Sequence, residues 1–185
     1  MVVSGVVLTS DADDALGTLN DVRLVDHAAS ALRGSGVVDF VLVGRGVSAH
    51  AGLHDVLSRV TGVDIVVLHD AHRPLAPAEL VTRVVEAVRA GADAAVPVVE
   101  VTETVKEVDG GRIVRTVPRE TLVQVQTPQA VRWSLLAAAH HTCRPGDPLV
   151  PRSARTVTVP GAAHAFPVRT AADLALAAAV RATTA

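Results

Sequence analysis

The stretch "IVVLHDAHRPLAPAEL", residues 65–80, sets an acid, two imidazoles and a guanidinium directly after four apolar residues. Ile65–Leu68 reads as a buried strand, which puts His69, Asp70, His72 and Arg73 at its carboxyl end. Ligands of open α/β sheets bind at that end of the strands. A carboxylate there, Asp70, can hold a divalent metal or orient a substrate hydroxyl. Arg73 can grip a phosphate through its planar fork. A plain strand-end turn, with Asp70 capping backbone amides, uses the same residues, so spacing alone leaves both readings open. Thr127-Pro128-Gln129 offers short hydrogen-bonding groups on a rigid turn, which suits a substrate wall or an ordinary turn equally.

Other polar groupings have plainer readings. "SDADDALG" carries Asp11, Asp13 and Asp14, yet lacks the glycine and distal Glu of a calcium loop, so a solvated loop is expected. His50 and His54 share a helix face at zinc-ligand spacing, but no HExxH pattern or third ligand accompanies them. His140-His141 ends a helix, where imidazolium suits the dipole. Cys143 is the single cysteine, which excludes an intrachain disulfide and a cysteine metal cluster. No G-x-G-x-x-G follows the first strand, which argues against a dinucleotide-binding module.

The composition narrows the class. A chain of 185 residues fits one domain with a real core. Hydrophobic residues make up 49% and are mostly Val and Ala, as strands buried on both faces require. A net charge of −2 and three aromatic residues argue against nucleic-acid binding. No apolar run approaches the roughly 20 residues of a membrane span, so a soluble, cytoplasmic protein is expected. Of the 17 basic residues only Lys106 is a lysine, so a mechanism needing several lysines is excluded.

These residues need elements to hold them. Strands are expected at Val2–Leu8, Val37–Val43, Ile65–Leu68, Ala94–Val98 and Thr156–Val159. Helices are expected at Val25–Leu32, residues 51–60, Pro77 to about Ala90, Arg132–His141 and the closing "TAADLALAAAVRA". Thr170 and Asp173 stand at capping-box spacing before that last helix, and Pro77 stands where a first-turn proline belongs. Strands alternating with helices imply βαβ units around a parallel sheet. "ETVKEVDGGRIVRTV" alternates instead, which predicts a hairpin with Asp109-Gly110 as its loop and Glu107 opposite Arg112. Val105 and Val108 give that hairpin a thin apolar face, so it should lean on the domain or on another copy of the chain.

Taken in order, "LHDAHRP", "VPVVEVTETVKEVDGG", "TVPRETL" and "VQTPQAV" resemble the 2-C-methyl-D-erythritol 4-phosphate cytidylyltransferase (IspD) family. The resemblance covers most of the chain and is densest between residues 65 and 131. It implies a three-layer, Rossmann-like α/β nucleotidyltransferase fold with a mainly parallel sheet, in one domain over residues 1–185. It also implies a homodimer clasped by a protruding β-hairpin arm at about residues 97–120. The implied reaction joins CTP and methylerythritol phosphate with release of diphosphate, assisted by Mg²⁺. By motif position, Asp70 and Arg73 would be central and catalytic, with Asp70 as the metal ligand. Thr104 and Arg119 on the arm would reach the sugar phosphate in the partner's site, and Thr127 would line the same pocket.

Several family motifs have no counterpart. The AAGxGxR loop and PKQ-type lysine are replaced by "LTSDADDALGTLND", with three negative charges. The GGxxRxxS and TDDA segments are absent, and "AFPVRT" offers Pro167 where an NIKxT lysine would fall, with Arg169 nearby. A catalytically inactive or very weak family member that binds a small phosphorylated ligand is therefore expected. The alternatives are an active nucleotidyltransferase with a rearranged triphosphate site, and a non-catalytic regulatory or partner subunit.

Overall fold

A computed structural model describes residues 1–9, 17–46, 53, 56–139 and 149–184. The strands are β1 (Val3–Thr9), β2 (Thr18–Leu19), β3 (Val22–Arg23), β4 (Phe40–Arg45), β5 (Ile65–Asp70), β6 (Ala94–Glu100), β7 (Val105–Asp109), β8 (Arg112–Val117), β9 (Val123–Val125), β10 (Gln129–Arg132) and β11 (Thr156–Pro160). The α-helices are α1 (Leu24–Gly34), α2 (Ala78–Arg89), α3 (Trp133–Ala139) and α4 (Ala171–Thr184). The central sheet runs in the order β11-β6-β10-β5-β1-β4, with β9 paired to β6. It is parallel except where β10 inserts antiparallel between β5 and β6, and where β9 returns along β6.

Alternation along the strands divides the core in two. Val3, Val7, Ile65 and Val67 pack on one face with Val25, Ala28 and Leu32 of α1 and Val81, Val84, Val85 and Val88 of α2. Val6, Leu8, Val66 and Leu68 point the other way and meet Leu53, Val56, Leu57, Leu136 and Val150. Successive strand side chains face opposite ways, so a strand buried on both faces must be apolar throughout. Helix α1 approaches so closely that a Cβ on Gly5 would stand 3.0 Å from Leu32 Cδ1.

Several expected bounds shift. The second long strand starts at Phe40 rather than Val37, because Val37 and Val38 pack on the core ahead of it. Asp39 ties that entry down: its carboxylate accepts from the Val3 amide at 2.7 Å, and its own amide donates to Val3 O. Pro77 is the extended residue before α2 rather than its first turn, with φ −75° and ψ 152°. The capping box forms as expected, with Asp173 N–H donating to Thr170 Oγ1 at 3.1 Å and Thr170 N–H to Asp173 Oδ2 at 2.9 Å. Of the expected helix at 51–60, Leu53, Val56 and Leu57 are helical and buried. The calls on Asp11, Asp13, Asp14, His50, His54, His140, His141 and Cys143 lie outside the described residues.

The arm is a hairpin of β7 and β8, and residues 97–100 still belong to β6 in the sheet. Its register differs from the expected one by a residue. Gly110 and Gly111 form the loop with φ 52° and 80°, Asp109 faces Arg112, and Glu107 faces Arg115 across a bulge. A type I′ turn needs positive φ at both central residues, and Gly-Gly meets this at lower cost than Asp-Gly. Glu107 therefore pairs with Arg115 at 2.5 Å, not with Arg112. Val108, Ile113 and Val114 stay exposed on the arm.

After β11 the chain is clamped rather than loose. The buried Gln126 side chain donates through Nε2 to Ala162 O at 2.9 Å and accepts the Ala162 amide at Oε1, 3.0 Å. Gly161 lets the two backbones meet, since a Cβ there would run into Gln126 Oε1 and lie 2.9 Å from Val98 O. Gly161→Ala is expected to cost about 1–3 kcal/mol in urea unfolding through this overpacking. Gly34→Ala, whose Cβ would meet only Ala78 Cβ at 3.9 Å, should be neutral or stabilising. Equal midpoints for the two variants would contradict the clamp.

Candidate functional site

Strand β5 delivers His69 and Asp70 to the carboxyl edge of the sheet, and the turn before β10 fixes them there. Thr127 Oγ1 accepts the Asp70 amide at 3.1 Å and lies 3.0 Å from His69 Nδ1. The hydroxyl has a proton to donate and a second lone pair to accept with, so it satisfies Nδ1 in either tautomer of the ring and leaves Nε2 as the ring's other polar atom. That Nε2 is buried and finds no partner among the described residues. Burial pushes the His69 pKa down to about 4, with Asp70 opposing the shift and Arg73 adding to it.

Asp70 turns back on its own strand end. Oδ1 accepts the His72 amide at 3.0 Å and His72 Nδ1–H at 2.9 Å. Burial raises its pKa, but the His72 hydrogen bonds and charge more than reverse this and hold the carboxyl below the ordinary value. Oδ2 faces the guanidinium of Arg169, whose Nη2 is 3.9 Å away and whose side chain is 65% exposed. The acid is thus ionised, about three-quarters covered and aimed at an exposed cation.

Arg73 sits deeper, 9% exposed. Its Nη1 donates to Ala165 O at 2.5 Å and its Nη2 to Val125 O at 3.4 Å. Burial, the largest influence, lowers its pKa from the usual guanidinium value; Asp70 opposes this and Arg169 reinforces it. The Val168 amide donates to His72 O at 2.7 Å. With the Gln126 clamp, these bonds fix the segment 161–169 against the strand end, and that segment carries Arg169.

The structure brings Asp70, Arg73 and Thr127 together. Thr127 is 7% exposed and Gln129 8%, with Gln129 Nε2 donating to Gln126 O, so both side chains of the TPQ turn face inward as struts. Thr104 and Arg119 stand apart and exposed at the base of the arm, where Arg119 Nη1 donates to Thr102 O at 2.8 Å. Two contributors were not singled out from sequence as site residues. Gln126 is polar in a Val/Gln strand, and its inward register shows only once β9 is paired with β6. Arg169 abuts a capping box that fixes the direction of its exit, a signal that was available in "RTAAD".

As to metal, no cluster of three His, Cys, Asp or Glu side chains that could cage an ion exists among the described residues. Asp70 Oδ2, which faces outward while Oδ1 is engaged with His72, fits a single carboxylate anchor. Mg²⁺ commonly takes one or two carboxylates and completes its shell with substrate phosphates and water.

Residues 26–182 match the family described as IspD: 2-C-methyl-D-erythritol 4-phosphate cytidylyltransferase. The protein of that name from Frankia casuarinae is 42% identical over 83% of this chain, and the chain spans 59% of that relative's length. Its namesake in Streptomyces avermitilis is 34% identical, over 95% of this chain and 87% of the relative. That match extends over 217 positions, more than the 185 residues here, so the Streptomyces protein carries stretches without a counterpart in this chain. The crystal structure of the Thermus thermophilus 2-C-methyl-D-erythritol 4-phosphate cytidylyltransferase superposes with a TM-score of 0.83 at 29% identity, over 97% of this chain and 98% of that one.

The buried imidazole has a consequence for stability. In the folded protein His69 takes a proton only near pH 4, whereas the unfolded chain takes it near 6.5. Between those values the unfolded state binds more protons, so stability falls as pH falls, by on the order of 3 kcal/mol in total. Asp70 adds a further loss below its ordinary carboxyl range. Urea midpoints should decline from pH 6.5 to 4, and His69→Asn should flatten that limb. A His69 imidazole that titrates near 6.5 by NMR would sink the assignment.

Proposed function

Because the chain belongs to the 2-C-methyl-D-erythritol 4-phosphate cytidylyltransferase family, we propose that it binds a sugar phosphate of the methylerythritol phosphate type at the Asp70 site, and that its cytidylyl transfer is lost or very weak. The observation that carries this reading is the supply of cations at the strand end. Arg73 is buried and donates to two main-chain carbonyls, and Arg169 is the guanidinium within 4 Å of Asp70 among the described residues. The single lysine, Lys106, is on the arm, where Nζ donates to Thr116 Oγ1 at 2.7 Å.

Nucleotidyl transfer relies on positioning and charge stabilisation, with little covalent work for the protein. Each preorganised donor removed costs about 10²–10³ in rate, so losing two lysines and a backbone cradle costs roughly 10⁵ or more. The stretches of the Streptomyces relative that are missing here support the same reading. When bound, Mg²⁺ supplies positive charge to the phosphates, and Asp70 Oδ2 is the atom that would hold it. Arg169 would meet the phosphate, and Thr127 keeps the strand end in place beneath it. Thr104 and Arg119 would act on the sugar phosphate across a homodimer clasped by the arm, whose exposed Val108, Ile113 and Val114 need a covering surface. That surface also suits a role as a partner subunit.

A second reading, a working enzyme with a rearranged triphosphate cradle, is favoured by Arg169 beside Asp70, a cation where the family's lysine is missing.

Calorimetric titration with methylerythritol phosphate should give binding, and titration with CTP plus Mg²⁺ should give none, with no diphosphate release. Micromolar CTP binding and turnover abolished by Arg169→Ala would instead establish the second reading. Arg119→Ala should weaken the sugar-phosphate isotherm about tenfold without moving Tm, since Arg119 is exposed. An unchanged isotherm would remove the arm from the site. Val105→Glu with Val114→Glu should move the protein toward monomer by gel filtration; an unaltered profile would remove the clasp.

A further inference from the structure

A cavity of about 520 Å³ lies between α1, α4 and the segment that follows Arg73. Its polar lining is His27 and Ser30 of α1, Arg181 of α4, and His164. Its apolar lining includes Pro74, Leu75, Ala76 and Val180. Among the described residues no Asp or Glu lines it, in contrast to the strand-end site, which is built around Asp70.

The polar side is organised. His27 is 7% exposed, and its Nε2 is 2.9 Å from Leu19 O while its Nδ1 is 3.1 Å from Arg181 Nη1. A carbonyl only accepts and a guanidinium only donates, so His27 carries its proton on Nε2 and accepts at Nδ1. The buried ring therefore holds the Arg181 guanidinium beside the cavity through its Nη1. His164 and Ser30 are exposed and supply an imidazole and a hydroxyl from two further segments.

From this we infer that the cavity is a binding site for a small amphiphilic anion, a phosphate monoester with a short apolar tail. The guanidinium, imidazole and hydroxyl take the head, and Pro74, Leu75, Ala76 and Val180 take the tail. Phosphate is favoured over carboxylate because the lining draws donors from α1, α4 and the loop before Ala165, which suits an anion with three terminal oxygens. The site is separate from the one around Asp70 but shares two chain segments with it. Arg73 leads directly into Pro74, and His164 precedes Ala165, whose carbonyl Arg73 holds. The inference does not rest on the reading of the Asp70 site.

Titration of the ¹⁵N-labelled full chain with monobutyl phosphate, inorganic phosphate, butyrate and butanol, followed by amide shifts, tests it. Monobutyl phosphate should move the amides of Ser30, Ala31, Leu75, Ala76, His164 and Arg181, with at least tenfold tighter binding than phosphate or butyrate and no saturation by butanol. His164→Gln, an exposed change that leaves the packing intact, should weaken binding several-fold, and Arg181→Gln by tenfold or more. Shifts confined to Asp70, His72 and Arg169 would overturn the assignment. So would affinity for monobutyl phosphate no greater than for inorganic phosphate, or binding indifferent to His164→Gln.

Discussion

The hydroxyl of Thr127 joins the sheet to the site. It accepts the last amide of β5 and meets the buried His69 ring, and it does so from the turn that starts β10. β10 runs against both of its neighbours, wedged between β5 and β6. A parallel neighbour would leave through a crossover, whereas an antiparallel one can begin beside the end of β5. The reversed strand thus brings a side-chain donor and acceptor to the carboxyl edge, where the open valences of β5 would otherwise face a ligand or water. Every position at the site is referred to this contact: Asp70 through its amide, His72 through Asp70, and Arg169 through the clamped segment beside them.

The residue before Thr127 extends the same logic to the other wall. Gln126 holds Ala162 by both its donor and its acceptor, so two consecutive residues of one turn fix the two walls of the site. Arg73 closes the triangle by bonding Val125 and Ala165 together. A buried guanidinium used in this way costs desolvation, and its two carbonyl bonds offset part of that cost. The arrangement exchanges reach for rigidity, because an arginine engaged with two carbonyls gives up part of its fork to the scaffold. The exposed charge is left to Arg169, which extends from the end of the clamped segment.

Much of this architecture was legible in the sequence, and the parts that were not share a cause. The valine runs marked the buried strands because burial on both faces allows nothing else. Thr170 and Asp173 marked the start of α4 because a capping box is a local bond pattern. The strand-end acid was visible for the same reason: it follows its strand directly. The hairpin register was not, since Asp109-Gly110 and Gly110-Gly111 are both good turns, and the bulge that decides between them lies at Glu107. Nor was the use of Arg73, whose partners are carbonyls 52 and 92 residues away. Residue type says what a side chain is able to do, and only the tertiary neighbours say which of its capacities is already taken.

That distinction bears on how a site of this family can lose one activity and keep another. The scaffolding bonds of Gln126, Thr127 and Arg73 do not depend on a triphosphate, because each satisfies a buried polar group of the fold itself. Losing any of them would expose the chain to a folding penalty, whatever chemistry it performs. Cations that served only a triphosphate would carry no such second duty. Exposed lysines and a glycine loop can be replaced with little cost in stability, as surface changes generally can. On the reading proposed above, drift would erode the nucleotide side first and leave the strand end, the TPQ turn and the arm standing. A chain with one lysine, an intact Thr127–Asp70 contact and an exposed arginine beside the acid is what such unequal pressure would produce.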